Sequence, residues 1–79
     1  MESNRGDKLV NFRNGDEGAF RYYYDLYYNA LCLFGLRMLK DEEVAEDIVQ
    51  DVYVNLWKAR ETIESPLHLK MYLYQSMRH

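Results

Sequence analysis

The sequence predicts an all-α fold, a compact bundle of three principal helices plus a short N-terminal helix. Apolar residues recur at helical spacing over three long stretches, and each stretch opens on a residue that caps helices well. No alternating apolar–polar run competes as a strand. At 79 residues there is room for one domain, and a chain of that size buries only about 60% of its unfolded surface.

Residues 1–6, MESNRG, are polar and read as a disordered N-terminus. Asp7 can cap a short helix carrying Leu9, Val10 and Phe12, which stops at Asn14-Gly15 and makes a small N-terminal flap. Asp16 is the next N-cap. From it one apolar stripe runs Phe20, Tyr24, Tyr27, Leu31, Phe34, Met38, and a second runs beside it as Ala19, Tyr23, Leu26, Ala30, Leu33. A helix apolar over more than half its girth is expected to be the central, most covered element. After a tight loop at Lys40, Asp41 caps the next helix, with Glu42 and Glu43 in the first turn where the macrodipole favours anions. That helix runs to Ala59 or Arg60, and at about 100° per residue Ala45, Ile48, Val49, Val52, Leu56 and Ala59 fall on its core side. A loop over 61–64 leads to Ser65-Pro66, an N-cap followed by proline at the first helical position. The last helix turns Leu69, Tyr72, Leu73, Ser76 and Met77 to one side and still reads helical at His79, so the chain is expected to be cut inside a helix.

The composition is 48% hydrophobic and includes eight tyrosines, whose hydroxyls want water or a partner when the ring is buried. No apolar run approaches the roughly 20 residues that span a bilayer, and the N-terminus lacks a signal peptide's apolar segment. The cytoplasm is the expected location. Cys32 is the only cysteine, so an intrachain disulfide is impossible, and a buried packing role is expected for it.

The net charge of −3 argues against a simple nucleic-acid binder. It is, however, polarised. Asp41, Glu42, Glu43, Glu46, Asp47 and Asp51 crowd one segment without a base, leaving seven of the 13 acids against ten bases elsewhere. Opposite its core stripe, the helix from 41 to 60 gathers Asp47, Gln50, Asp51, Val54 and Lys58, with Trp57 at the edge. This suits a docking surface with an aromatic anchor and charges that steer a basic partner. An ordinary solvated face with one stray valine and a core-packed tryptophan fits the same pattern. The last helix carries Leu67, Lys70, Met71, Tyr74 and Arg78 on its outer side, which suits a nucleic-acid surface or ordinary solubilising charge. Catalysis finds no foothold. His68 and His79 lack metal-ligand spacing, and the four glycines form no nucleotide-binding pattern. Neither a cofactor nor a metal is expected.

Residues 45–58, AEDIVQDVYVNLWK, closely resemble the signature helix of extracytoplasmic-function (ECF) RNA polymerase sigma factors. GDEGAFRYYYDLYYNALCLFGLRML looks like that family's preceding helix, and SPLHLKMYLYQSMRH like the start of the following one. The resemblance covers roughly residues 7–79 and implies one sigma factor region 2 domain there, with the fourth region, a helix-turn-helix that reads the minus-thirty-five element, absent. It implies that core RNA polymerase is the partner, through the coiled coil of its beta-prime clamp. Asp47, Gln50, Asp51, Tyr53, Val54, Trp57 and Lys58 are the clamp-binding candidates. It further implies contact with and melting of the minus-ten promoter element by the next loop and last helix. The DNA-binding candidates are Arg60, Ser65, Lys70, Tyr74, Arg78 and His79. An anti-sigma factor is a further expected partner. His79 stands where the family commonly has asparagine, and the basic stretch that normally follows is absent. Two other classes stay open: a helical interaction module that occupies the clamp without promoter recognition, and a DNA-binding domain unrelated to polymerase, which would bind DNA with a steep salt dependence.

Overall fold

The computed structural model describes residues 5–78 as four α-helices and one 3-10 turn. They are α1 (Arg5–Arg13), α2 (Glu17–Leu39), α3 (Glu42–Lys58), the turn at Arg60–Thr62, and α4 (Pro66–Met77). Among the described residues there is no strand. His79, expected to be helical, and residues 1–4 of the expected disordered N-terminus lie outside those residues. α1 starts two residues before the expected cap at Asp7, which places Asp7 inside the helix.

The caps follow the sequence closely. Asp16 accepts from the Gly18 N–H at 3.1 Å, Asp41 from the Val44 N–H at 3.1 Å, and Ser65 Oγ from the His68 N–H at 2.9 Å. Each satisfies one of the amide donors that a helix start leaves without an intrahelical partner. Lys40 closes α2 in the left-handed region, φ 61°, and its N–H bonds to the Leu36 carbonyl at 2.8 Å. Only Lys40 and Asp41 separate α2 from α3, so the two pack as an antiparallel pair. At the hairpin end Gly35 is buried, and a Cβ there would meet Met77 Cε at 2.9 Å and Ala45 Cβ at 3.1 Å. The missing side chain is what lets α3 and α4 close on α2 at that level.

The core takes Ala45, Val49, Val52 and Leu56 from α3, as the periodicity predicts, and Leu69, Leu73 and Met77 from α4. Ile48, Ala59, Tyr72 and Ser76 are only half-buried, as is Cys32, which is a free thiol. Four core residues, Leu9, Phe12, Tyr53 and Ile63, lie outside the stripes of the long helices. Ile63 is fully buried in the loop before α4, and Phe12 brings α1 into the core.

α2 departs most from expectation. It touches each of the other three helices, yet Leu26, Leu33 and Met38 are 52%, 50% and 41% exposed, and Ala30 is exposed as well. Its buried residues are Ala19, Tyr23, Leu31 and Gly35. The reason is geometric. A 23-residue helix is about 34 Å long, and helices of 9, 17 and 12 residues cannot enclose it. Its second stripe is therefore core at the α1 end and solvent-facing beyond Tyr23.

Candidate functional site

With one side of α3 turned into the core, its opposite side is left on display. Asp47, Gln50, Asp51, Val54 and Lys58 are all exposed, and their three- and four-residue spacing lays them along one face. Beside this face lies a groove of about 820 Å³ between the N-terminal half of α2 and the C-terminal half of α3. Phe20, Tyr24, Tyr53 and Trp57 give it an aromatic lining, and Glu17, Arg21, Gln50 and Lys58 add polar groups. The rings brace one another. Phe20 meets Trp57 edge-on at 5.2 Å between centroids, and Tyr24 lies 4.5 Å from Tyr53. Gln50 Nε2 donates to the Tyr24 hydroxyl at 2.9 Å, which ties the exposed face of α3 to the facing wall.

Tyr53, expected among the docking residues, is buried. It is 2% exposed, and its hydroxyl donates to the Tyr24 carbonyl at 3.2 Å. It therefore supports the groove from beneath and offers little area of its own. Trp57 is half-buried, packed against the core and lining the groove. Burial raises the Tyr53 phenol well above the ordinary tyrosine value, with smaller contributions from neighbours including Tyr24. Burial also raises Tyr23 and Tyr27. These rings stay neutral to a higher pH in the folded chain than in the unfolded one. Stability from them is thus fully present below about pH 10 and lost as the pH climbs above it. Denaturation midpoints between neutrality and strong alkali are expected to hold steady and then fall, less steeply in Tyr53→Phe. A midpoint that does not move through the alkaline range would contradict the buried phenols.

The candidate DNA set divides. Lys70, Tyr74 and Arg78 share one face of α4 by their four-residue spacing; Lys70 and Arg78 are exposed and Tyr74 is half-buried. Tyr74 packs edge-on to Phe34 at 5.2 Å, and the Arg78 guanidinium carbon sits 5.8 Å from the Phe34 ring centroid. Phe34 of α2 therefore orders this face, a role the sequence cannot reveal because it depends on how α2 crosses α4. Leu67 and Met71 are exposed on it as well, 65% and 49%. Arg60 and Ser65 do not join this face as free groups. Ser65 Oγ is spent on the α4 cap, and Arg60 packs over the Trp57 ring at 4.4 Å. His79 lies outside the described residues.

Among the described residues no cluster of His, Cys, Asp and Glu could hold a metal ion, and no helix is long and apolar enough to cross a membrane. The small helical scaffold thus carries an acidic face beside an aromatic groove on α3 and a face with Lys70 and Arg78 at α4. The chain belongs to the sigma-70 region 2 family, whose model matches residues 19–79. It is 33% identical over 63 residues to the ECF RNA polymerase sigma factor SigX of Bacillus subtilis (strain 168), a match covering 80% of this chain and 32% of that protein. The chain thus spans about a third of the length of that relative. No solved structure matches. Sigma factors are transcription initiation factors, not enzymes.

Proposed function

We propose that this chain is the part of an ECF sigma factor that binds core RNA polymerase and directs it to promoters. α3 docks on the beta-prime clamp coiled coil, and the outer face of α4 meets the minus-ten element where the strands separate. The observation that carries the reading is the exposed row Asp47, Gln50, Asp51 beside an aromatic groove, on the helix with the sigma-factor signature. Carboxylates at the rim steer a basic partner, and rings in a groove supply the apolar contact that holds it. On α4, Lys70 and Arg78 can neutralise phosphate, and Tyr74, already braced by Phe34, offers a ring to an unpaired base. Holding an extruded base offsets an unstacking cost of a few kcal/mol. The site of action is the cytoplasm, and an anti-sigma factor is the restraining partner.

Titration with a beta-prime clamp coiled-coil peptide at low and moderate salt tests the docking half. Binding is expected to be salt-sensitive, and Asp51→Lys is expected to weaken it roughly tenfold or more, because like charge then faces like. The circular dichroism of the variant should match the parent, since Asp51 is exposed. Unchanged affinity would remove this face from the interface. A second reading, a clamp-binding module without promoter recognition, is favoured by the small basic content of α4, which carries only Lys70 and its cap Arg78. Promoter opening by a full-length sigma factor carrying this region separates the two.

A further inference from the structure

We infer that Arg60 is a positioning residue of the docking surface, holding the Trp57 indole in the groove wall. The inference rests on the docking role proposed above. The Arg60 guanidinium carbon lies 4.4 Å from the Trp57 ring centroid, and its Nη1 donates to the Trp57 carbonyl at 2.9 Å. One side chain thus grips both the ring and the backbone of a residue three positions earlier. The local chain makes this possible: α3 ends at Lys58, and the 3-10 turn that starts at Arg60 folds the side chain back over the last turn of the helix.

The seat for Arg60 is built by the α1–α2 turn. Gly15 has φ +92°, and a Cβ there would stand 3.6 Å from Arg60 Nε and 3.7 Å from Nη2. Arg13 Nη2 donates to the Glu61 carbonyl at 3.0 Å, which fastens the 3-10 turn to α1. Arg60 Nε is buried and has no hydrogen-bond partner. Leaving a buried donor unpaired is unfavourable, and the stack and the carbonyl bond on Trp57 offset that cost. Phe12 and Phe20 meet the same indole edge-on at 6.4 Å and 5.2 Å. The ring is held from three directions in the structure that lines the groove. An anchor already fixed in its bound conformation loses less freedom on binding than a mobile one.

Trp57 is the only tryptophan, so tryptophan emission, excited selectively over the eight tyrosines, reports the surroundings of this ring. Emission and acrylamide quenching are measured on the free chain, together with affinity for the clamp coiled-coil peptide. Arg60→Ala is expected to shift emission to the red, increase quenching and weaken peptide binding roughly tenfold. Arg60→Lys, which keeps the charge and the stem but not the planar group, is expected to fall between, and it serves if the alanine variant does not fold. In a Trp57→Ala background, Arg60→Ala is expected to cost almost nothing further, as coupling through that ring requires. Unchanged emission in both Arg60 variants overturns the inference, and so does an equal loss of affinity with and without Trp57. If the parent chain fails to bind the peptide, the docking reading falls and takes the docking role of Arg60 with it, whereas unchanged Trp57 emission alone breaks only the Arg60–Trp57 link.

Discussion

Leu56→Ala is expected to lower the stability of the domain by about 2–5 kcal/mol, enough to leave much of it unfolded at room temperature. Leu56 is fully buried in the cluster that joins α3 to Ile63 and to Leu69 and Leu73 of α4. A chain of this size has only about 4–12 kcal/mol in total, at roughly 0.05–0.15 kcal/mol per residue, so one truncated leucine removes a large share. Urea titration followed by circular dichroism checks it, with a markedly lower midpoint expected. A midpoint equal to the parent's would mean that the core side of α3 is wrongly placed, and the acidic face opposite it would lose its geometric basis. Loss of clamp binding in Leu56→Ala would follow from unfolding. In Asp51→Lys it would occur with the helices intact, and circular dichroism tells the two apart.

The long helices, their caps and the two sides of α3 were legible because each is a local property. Asp16, Asp41 and Ser65 act within three residues of themselves, and the stripe Ala45, Val49, Val52, Leu56 needs only the helical period. What failed to show depends on which element covers which. Leu26 and Leu33 of α2 look as apolar as Leu31, but each stays about half exposed. Ile63 stands alone in a loop, with no periodic company to mark it as core. The site divides in the same way. Asp47, Gln50, Asp51, Val54 and Lys58 were readable as one surface from spacing. The burial of Tyr53, the bond from Gln50 to Tyr24, and the diversion of Arg60 onto Trp57 all arise from packing across elements. The family resemblance offered Arg60 as a DNA-binding candidate; the structure lays its side chain over the Trp57 ring and bonds it to the Trp57 carbonyl.

Phe12→Ala is expected to be as damaging as the change at Leu56, about 3–5 kcal/mol, although its helix reads from sequence as a mere flap. Phe12 is fully buried and packs against Phe20, Tyr23 and Trp57, with ring centroids 6.2, 5.8 and 6.4 Å away. α1 lies outside the segment that the family model matches, which begins at Ala19, yet its one aromatic side chain packs against Phe20 and Trp57, two of the rings that line the groove. Removing the ring leaves a void among Phe20, Tyr23 and Trp57, and the indole loses one of the walls that hold it. Two readouts are therefore expected to move together: the urea midpoint falls, and Trp57 emission shifts to the red in the fraction that stays folded. A variant with the parent's midpoint would reduce α1 to the flap its sequence suggests. If the midpoint falls but Trp57 emission in the folded fraction stays put, Phe12 stabilises the core without shaping the groove, and support of the indole passes to Arg60 and Phe20 alone.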